Sequence, residues 1–133
     1  MKPLMTIVLT AAFGALLCAC GMINTKDRET TYTMITAKEA KQIMDTQSDY
    51  VILDVRTEEE YSEGHIPGAI LIPDYDIAEK AEEQLTDKDR LILVYCRSGR
   101  RSKLAAEALV SLGYTNIKEF GGIIDWPYET TKE

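Results

Sequence analysis

The chain has 133 residues, 45% hydrophobic and 28% charged, the balance of one folded domain rather than a disordered tail, a coiled coil or a multidomain enzyme. Its 15 Lys and Arg against 22 Asp and Glu give a formal charge of −7, the wrong sign for a protein held broadly on nucleic acid. Three cysteines and one histidine exclude a zinc framework and a disulfide-stapled mini-fold.

At the N-terminus Lys2 precedes an apolar run, Leu4 to Ala19, that ends Leu17-Cys18-Ala19-Cys20-Gly21. A positive residue, an apolar stretch and small residues at its end make the pattern of a secretory signal. The run is 16 residues long, short of the roughly 17 to 25 that a membrane-spanning helix needs. Leu17-Cys18-Ala19-Cys20 resembles the lipobox of bacterial lipoproteins, which implies cleavage before Cys20 and a diacylglycerol on its sulfur. Cys18 fits that role less well, because bulky Leu17 would sit just before the cut. An uncleaved anchor is the alternative reading of the same run. Both put the domain outside the cytoplasm at a membrane surface. Cleavage removes Cys18 and lipidation consumes Cys20, which leaves Cys96 as the lone thiol and allows no intramolecular disulfide. Residues 1–19 therefore read as a lipoprotein signal peptide and 20–33 as the lipidated cysteine and a polar tether. Residues 34–133 read as the domain. The tether, Gly21 to Thr33, is polar and aperiodic and reaches at most roughly 45 Å when extended.

Within the domain, Thr36-Ala37-Lys38-Glu39 is a capping box, and the apolar face of Ala40, Ile43 and Met44 predicts a helix over 37–46. Val51 to Val55 and Ala69 to Ile72 are short apolar runs that read as buried strands, the second stopped by Pro73. Glu58-Glu59-Glu60 suits the solvated first turn of a helix. Ile77 to Leu85 is amphipathic with its acids outward. Leu91 to Tyr95 is apolar at every position and is the strongest strand. Lys103 to Leu112 predicts a helix with Gly113 at the left-handed C-cap position, and Ile117 to Phe120 a last strand before a Gly121-Gly122 turn. Strands that alternate with helices and are apolar on both faces imply an α/β fold, a parallel sheet covered on both sides. In such sheets function sits at the C-terminal ends of strands.

The best strand runs into Cys96-Arg97-Ser98-Gly99-Arg100-Arg101-Ser102 and then a helix. Three effects converge there on the Cys96 sulfur: backbone N–H groups of a loop curled at a helix start, the helix dipole, and the cations of Arg97, Arg100 and Arg101. Each favours thiolate over thiol. Gly99 lets the backbone turn tightly. The competing reading makes Cys96 a buried filler and the arginines surface decoration. It leaves unexplained why cations gather at the helix end where positive charge is unfavourable.

These features resemble the rhodanese-like family of sulfurtransferases, over roughly Met34 to Pro127. The likeness rests on Asp54-Val55-Arg56, on Tyr61-Ser62-Glu63-Gly64-His65-Ile66-Pro67-Gly68-Ala69, on the Cys96 loop, and on Gly121-Gly122 followed by Trp126. It implies a rhodanese-like fold with a central parallel sheet of about five strands. It also implies a ping-pong reaction without a cofactor or metal, in which Cys96 takes sulfur from thiosulfate or a persulfide as a cysteine persulfide. A thiol or cyanide-like acceptor then receives that sulfur. Substrate binding falls to the loop, Arg97, Ser98, Gly99, Arg100, Arg101 and Ser102, with Arg97 and Arg101 as the anion contacts and Arg100 facing solvent. Cysteine phosphatases of related fold carry their arginine six positions after the cysteine. Here that position is Ser102 and the arginine comes one earlier, at Arg101, a spacing better suited to a sulfur atom than to a phosphoryl group. A non-catalytic sulfur carrier or redox sensor, and phosphatase or arsenate reductase chemistry, are the alternative uses of the loop.

The remaining polar residues read as scaffold. His65, in a turn entering a strand, is expected to be hydrogen-bonded rather than a base for Cys96. Asp54 and Arg56 are expected to neutralise each other or to pair with Glu60, with the rim of the site as a second possibility for Asp54. Trp126 and Tyr128 are expected to cap the core.

Overall fold

The computed structural model describes residues 31–133. The expected signal peptide, Cys18, Cys20 and the tether as far as residue 30 lie outside the described residues. Helix α1 (Ala37–Thr46) begins as its capping box predicts. The Thr36 hydroxyl accepts from the Glu39 N–H at 3.1 Å, and the Glu39 carboxylate accepts from the Thr36 N–H at 2.8 Å. A two-residue strand β1 (Thr33–Met34) precedes it, with Thr33 paired to Lys118 and Met34 to Glu119. Strand β1 thus overlaps the end of the stretch expected as tether. Both β1 residues are exposed, so no apolar alternation marks them.

Four further strands follow: β2 (Tyr50–Asp54), β3 (Ile70–Leu71), β4 (Leu91–Cys96) and β5 (Ile117–Gly122). They form one sheet in the order β1-β5-β4-β2-β3, every pair parallel. Helices α2 (Glu58–Glu63), α3 (Ile77–Gln84) and α4 (Arg100–Ser111) supply the crossovers, with single 3-10 turns at Asp74–Asp76 and Ile123–Asp125.

The period of two along β4 decides what each face holds. Leu91, Leu93 and Tyr95 pack with Ala40, Ile66, Phe120 and Trp126 on the α1 side. Ile92, Val94 and Cys96 pack with Ile77, Ala81, Ala105 and Leu109 on the α3–α4 side. Since every β4 residue is buried, the strand shows no polar alternation and reads as one apolar run. Trp126 is buried, packs against Phe120 and meets the edge of Tyr128, which closes the α1 side as expected.

Helix α4 starts at Arg100, three residues before its apolar face becomes visible in the sequence. Its other end is a Schellman closure: the Tyr114 N–H donates to the Leu109 carbonyl and the Gly113 N–H to the Val110 carbonyl, with Gly113 at φ +94°. Among the described residues no helix is long and apolar enough to cross a membrane.

Candidate active site at the end of β4

Cys96 is the last residue of β4, and the strand's alternation turns its side chain toward α4. Only Arg97, Ser98 and Gly99 separate it from the first turn of that helix. The reversal falls on Gly99, whose φ of +100° is left-handed and whose added Cβ would lie 3.4 Å from the Gly121 Cα. The tight turn brings the Gly99 N–H to 2.9 Å from Cys96 Sγ, where it donates to the sulfur. The side chain is closed off from solvent, at 0% exposure.

The neighbouring strand is shaped to admit this loop. β4 and β5 are in register from Ile92 to Val94, but Cys96 then faces Gly122, because β5 takes one extra residue between Glu119 and Gly122. That bulge sets Gly122 beneath the loop, where an ideal Cβ would lie 2.0 Å from the Arg97 carbonyl oxygen. The same carbonyl accepts from the Ile124 N–H at 3.2 Å.

Behind the sulfur stands a polar pair. Ser102 is buried in the first turn of α4 with Oγ 3.3 Å from Sγ and 2.7 Å from Glu119 Oε1. Glu119, 2% exposed, also accepts from the Gly121 N–H at 2.8 Å. Sequence reasoning missed Glu119, taking it as one residue of a strand. The signal was available: with side chains alternating, Glu119 shares the face of buried Ile117, and a carboxylate there needs a partner.

The three arginines differ. Arg97 and Arg100 are exposed. Arg97 edges a groove of about 360 Å³ that also touches Arg56, Glu60, Gly64 and Ile124. Arg101 reaches α2 and makes a two-pronged pair with Glu60, Nη1 to Oε1 at 2.6 Å and Nη2 to Oε2 at 2.9 Å. Its guanidinium is thus paired with Glu60 across to α2. Glu60 has a second task at the start of α2: it closes a capping box with Thr57. The hydrogen bonds from Arg101 hold its carboxyl well below the usual range, at about 2, against the opposing effect of burial. A carboxyl whose folded pKa is depressed stabilises the fold above its unfolded pKa, near 4.5, and loses that contribution as pH falls toward 2. Glu60→Gln is expected to cost about 1–2 kcal/mol at pH 7. The difference from the unsubstituted protein should shrink between pH 4.5 and 2, as urea unfolding at a series of pH values would show.

Asp54 belongs to the other face. It pairs with Tyr95 across β2 and β4, so both point away from Cys96. Its carboxylate takes Arg56 Nε at 3.0 and 3.1 Å and Nη2 at 2.7 Å, and the Tyr95 hydroxyl donates to it at 2.6 Å. Burial, and then the Asp54 charge, push the Tyr95 phenol far above its ordinary value. Of the two partners the sequence left open for Arg56, the structure selects Asp54, and Glu60 pairs with Arg101. Asp54 does not line the rim. His65 stacks on Tyr61 at 3.7 Å, with Nδ1 2.8 Å from the Tyr61 carbonyl and Nε2 2.8 Å from the Glu133 oxygen. It is a scaffold residue and makes no contact with Cys96. Among the described residues no cluster of His, Cys, Asp and Glu is placed to hold a metal ion.

Known proteins resemble this chain in sequence and fold. The family description "Rhodanese-like domain" matches residues 36–127. Thiosulfate sulfurtransferase PspE of Escherichia coli is 40% identical over 73 residues, 55% of this chain and 70% of its own length. A sulfurtransferase of Allochromatium vinosum is 38% identical over 88 residues, 65% of this chain and 79% of its own length. In two longer relatives the matched region is 51% and 23% of the whole. Among solved structures, a rhodanese with anions from E. coli superposes with a TM-score of 0.59 at 36% identity. It covers 63% of this chain and 99% of that one.

Proposed function

The chain belongs to the rhodanese-like family, and from that premise we propose that it moves sulfane sulfur through a persulfide on Cys96. One observation carries the reading: Cys96 Sγ sits at the C-terminal end of the central strand and receives the Gly99 N–H, against the N-terminus of a 12-residue helix. In the first half-reaction the thiolate attacks the outer sulfur of thiosulfate. The Sγ–S bond forms, the S–S bond of the donor breaks, and its electron pair leaves with sulfite. In the second half-reaction a thiol or cyanide-like acceptor attacks the outer sulfur and returns Cys96 as thiolate. Donor and leaving group are both anions. The helix terminus, the loop amides and the exposed guanidinium of Arg97 supply positive potential to each. Ser102, rather than an arginine, stands six positions after Cys96 and points at the sulfur. That supports sulfur over phosphoryl chemistry. The closure of Cys96 favours, as a second reading, a carrier that holds sulfur and releases it slowly.

Incubation with thiosulfate is expected to add one sulfur atom, about 32 Da, removable by cyanide and absent in Cys96→Ser, following the logic of covalent catalysis. Intact mass reads the adduct. Loading without multiple turnovers selects the carrier, and release of phosphate from an aryl phosphate without an adduct overturns both readings.

The location is part of the proposal. Cys20 carries a lipid that holds the domain on the extracytoplasmic side of a membrane, a reading supported by the Leu17-Cys18-Ala19-Cys20 sequence. Cys20→Ala should move the protein from the detergent phase to the aqueous phase on partitioning. Retention would favour the uncleaved anchor.

A further inference from the structure

Ser102 has one hydroxyl proton and four acceptors within reach. They are Glu119 Oε1 at 2.7 Å, the Gly99 carbonyl at 3.1 Å, Cys96 Sγ at 3.3 Å and the Gly121 carbonyl at 3.4 Å. Glu119 is both nearest and a carboxylate, so the proton goes to it. The Ser102 oxygen then faces the sulfur with a lone pair and gives it no hydrogen bond. Two buried groups that compete for negative charge, Cys96 Sγ and Glu119, are thereby joined through a single hydroxyl.

We infer that Glu119, acting through Ser102, is a positioning residue that sets the balance between empty and sulfur-loaded Cys96 in favour of the loaded form. The inference rests on the sulfur-transfer reading above. In the empty site the negative charge lies on Sγ itself, beside the Ser102 lone pair and the Glu119 carboxylate. In the exchange Cys–S⁻ + S–SO₃²⁻ ⇌ Cys–S–S⁻ + SO₃²⁻ the total charge is unchanged, but its place is not. Sγ becomes a neutral divalent sulfur, and the charge passes to the outer sulfur, one S–S bond or about 2 Å further on. A neutral Sγ tolerates the lone pair; an anionic one does not. Glu119 therefore raises the free energy of the empty thiolate more than that of the persulfide.

The other charged and titratable groups around the pair act in a different sense. Arg101 of α4 lies in electrostatic reach of Cys96 and favours charge there, with Glu60 of α2 and Asp74 offsetting it. In the segment before β1, burial and then the charges of Glu107 and Glu119 push the Tyr32 phenol up. None of them touches Ser102, so the hydroxyl reports on Glu119 alone.

The test compares the unsubstituted protein with Glu119→Gln, Ser102→Ala and the double variant in two assays. In the first, the rate of alkylation of Cys96 by iodoacetamide is followed against pH. Glu119→Gln should lower the midpoint, as expected for removing a buried like charge one hydroxyl away. In the Ser102→Ala background the same substitution should move it by less than half as much. In the second, intact mass gives the ratio of loaded to empty protein in mixtures of thiosulfate and sulfite. Glu119→Gln should lower that ratio by about threefold to tenfold. Should the glutamine variant fail to fold, Glu119→Asp, which withdraws the carboxylate from Ser102, must shift the alkylation midpoint downward by a smaller amount. An alkylation midpoint that stays or rises, or a loaded ratio that does not fall, overturns the role of Glu119 and leaves sulfur transfer standing. Absence of any adduct on the unsubstituted protein overturns the transfer reading itself, while the alkylation profile, which uses no sulfur donor, still reads the coupling of the two groups.

Discussion

Gly122→Ala is expected to abolish at least nine-tenths of the rate of sulfur loading and to cost about 3 kcal/mol or more in stability. The backbone at Gly122 is ordinary extended chain, φ −130° and ψ 154°, which alanine adopts without strain. The cost is one of space alone. An ideal Cβ meets the Arg97 carbonyl oxygen at 2.0 Å, the Arg97 carbonyl carbon at 2.4 Å and the Ser98 nitrogen at 2.5 Å. All three are backbone atoms, so no side chain can swing aside. Relief requires the Arg97–Ser98 peptide to lift, which breaks the bond from Ile124 and carries the Gly99 N–H away from the sulfur. Gly121→Ala is the matched control. Its Cβ has nothing within 4 Å, but its φ is +89°, so alanine there pays about 1–2 kcal/mol of left-handed strain and leaves the loop in place. Thermal unfolding and the rate of the thiosulfate adduct separate the two. If both variants lose stability alike and both still load sulfur, the close approach of loop and bulge is not what positions Cys96.

That contact also marks where the sequence stops being informative. The Gly121-Gly122 pair is visible as a turn signal. That one glycine provides a positive φ and the other provides room follows only from the bulge, which shifts β5 by one residue against β4. The strands β2 and β4 and the helices α1 and α3 are legible because each lies under a continuous apolar face or opens on a capping box. β1 is not, because its two residues are held by backbone bonds to β5 with both side chains in water. The start of α4 is obscured for an electrostatic reason. Helix starts are recognised by acids and N-cap hydroxyls, and here arginines fill the first turn with Gly99 at the cap.

The place of Cys96 is plain in the sequence, since it closes the one strand buried on both faces. Its surroundings are less so. Three arginines within five residues look alike in a string, yet a helix separates them: residues 97 and 100 stay in solvent, whereas Arg101 turns to α2 and Glu60. The partners Arg101–Glu60 and Ser102–Glu119 are 41 and 17 residues apart, and no local pattern announces pairs at such distances. Alternation along β4, together with its register on β2, settles one separation that the sequence leaves open, the side of the sheet on which Asp54 lies. Odd and even positions at the C-terminal end of the sheet divide the labour, with Cys96 on the α4 face and Tyr95 and Asp54 on the α1 face.

From that division follows the second large effect. Asp54→Ala is expected to cost about 3–5 kcal/mol, because it leaves Arg56 buried without its carboxylate and the Tyr95 hydroxyl without its acceptor. Arg56 is only 5% exposed, and its one other hydrogen bond is to the Gly64 carbonyl, too little to compensate a guanidinium. For a domain of this size the loss corresponds to a fall in Tm of about 15–30 °C. Tyr95→Phe, which removes the donor to Asp54 and the acceptor for the Ile66 N–H, should cost less, about 1–3 kcal/mol. The double substitution Asp54→Leu with Arg56→Met should be less destabilising than Asp54→Ala alone, since it removes both charges and keeps the volume. Because the pair faces away from the sulfur, Asp54→Ala protein kept folded at low temperature should load thiosulfate at a rate within about twofold of the unsubstituted chain, there being no shared partner to couple the two sites. A cost below 1 kcal/mol would mean that Arg56 escapes to solvent when its partner is removed. A large loss of loading in folded protein would mean that the two faces of the sheet are not independent and that Asp54 acts on Cys96 through β4.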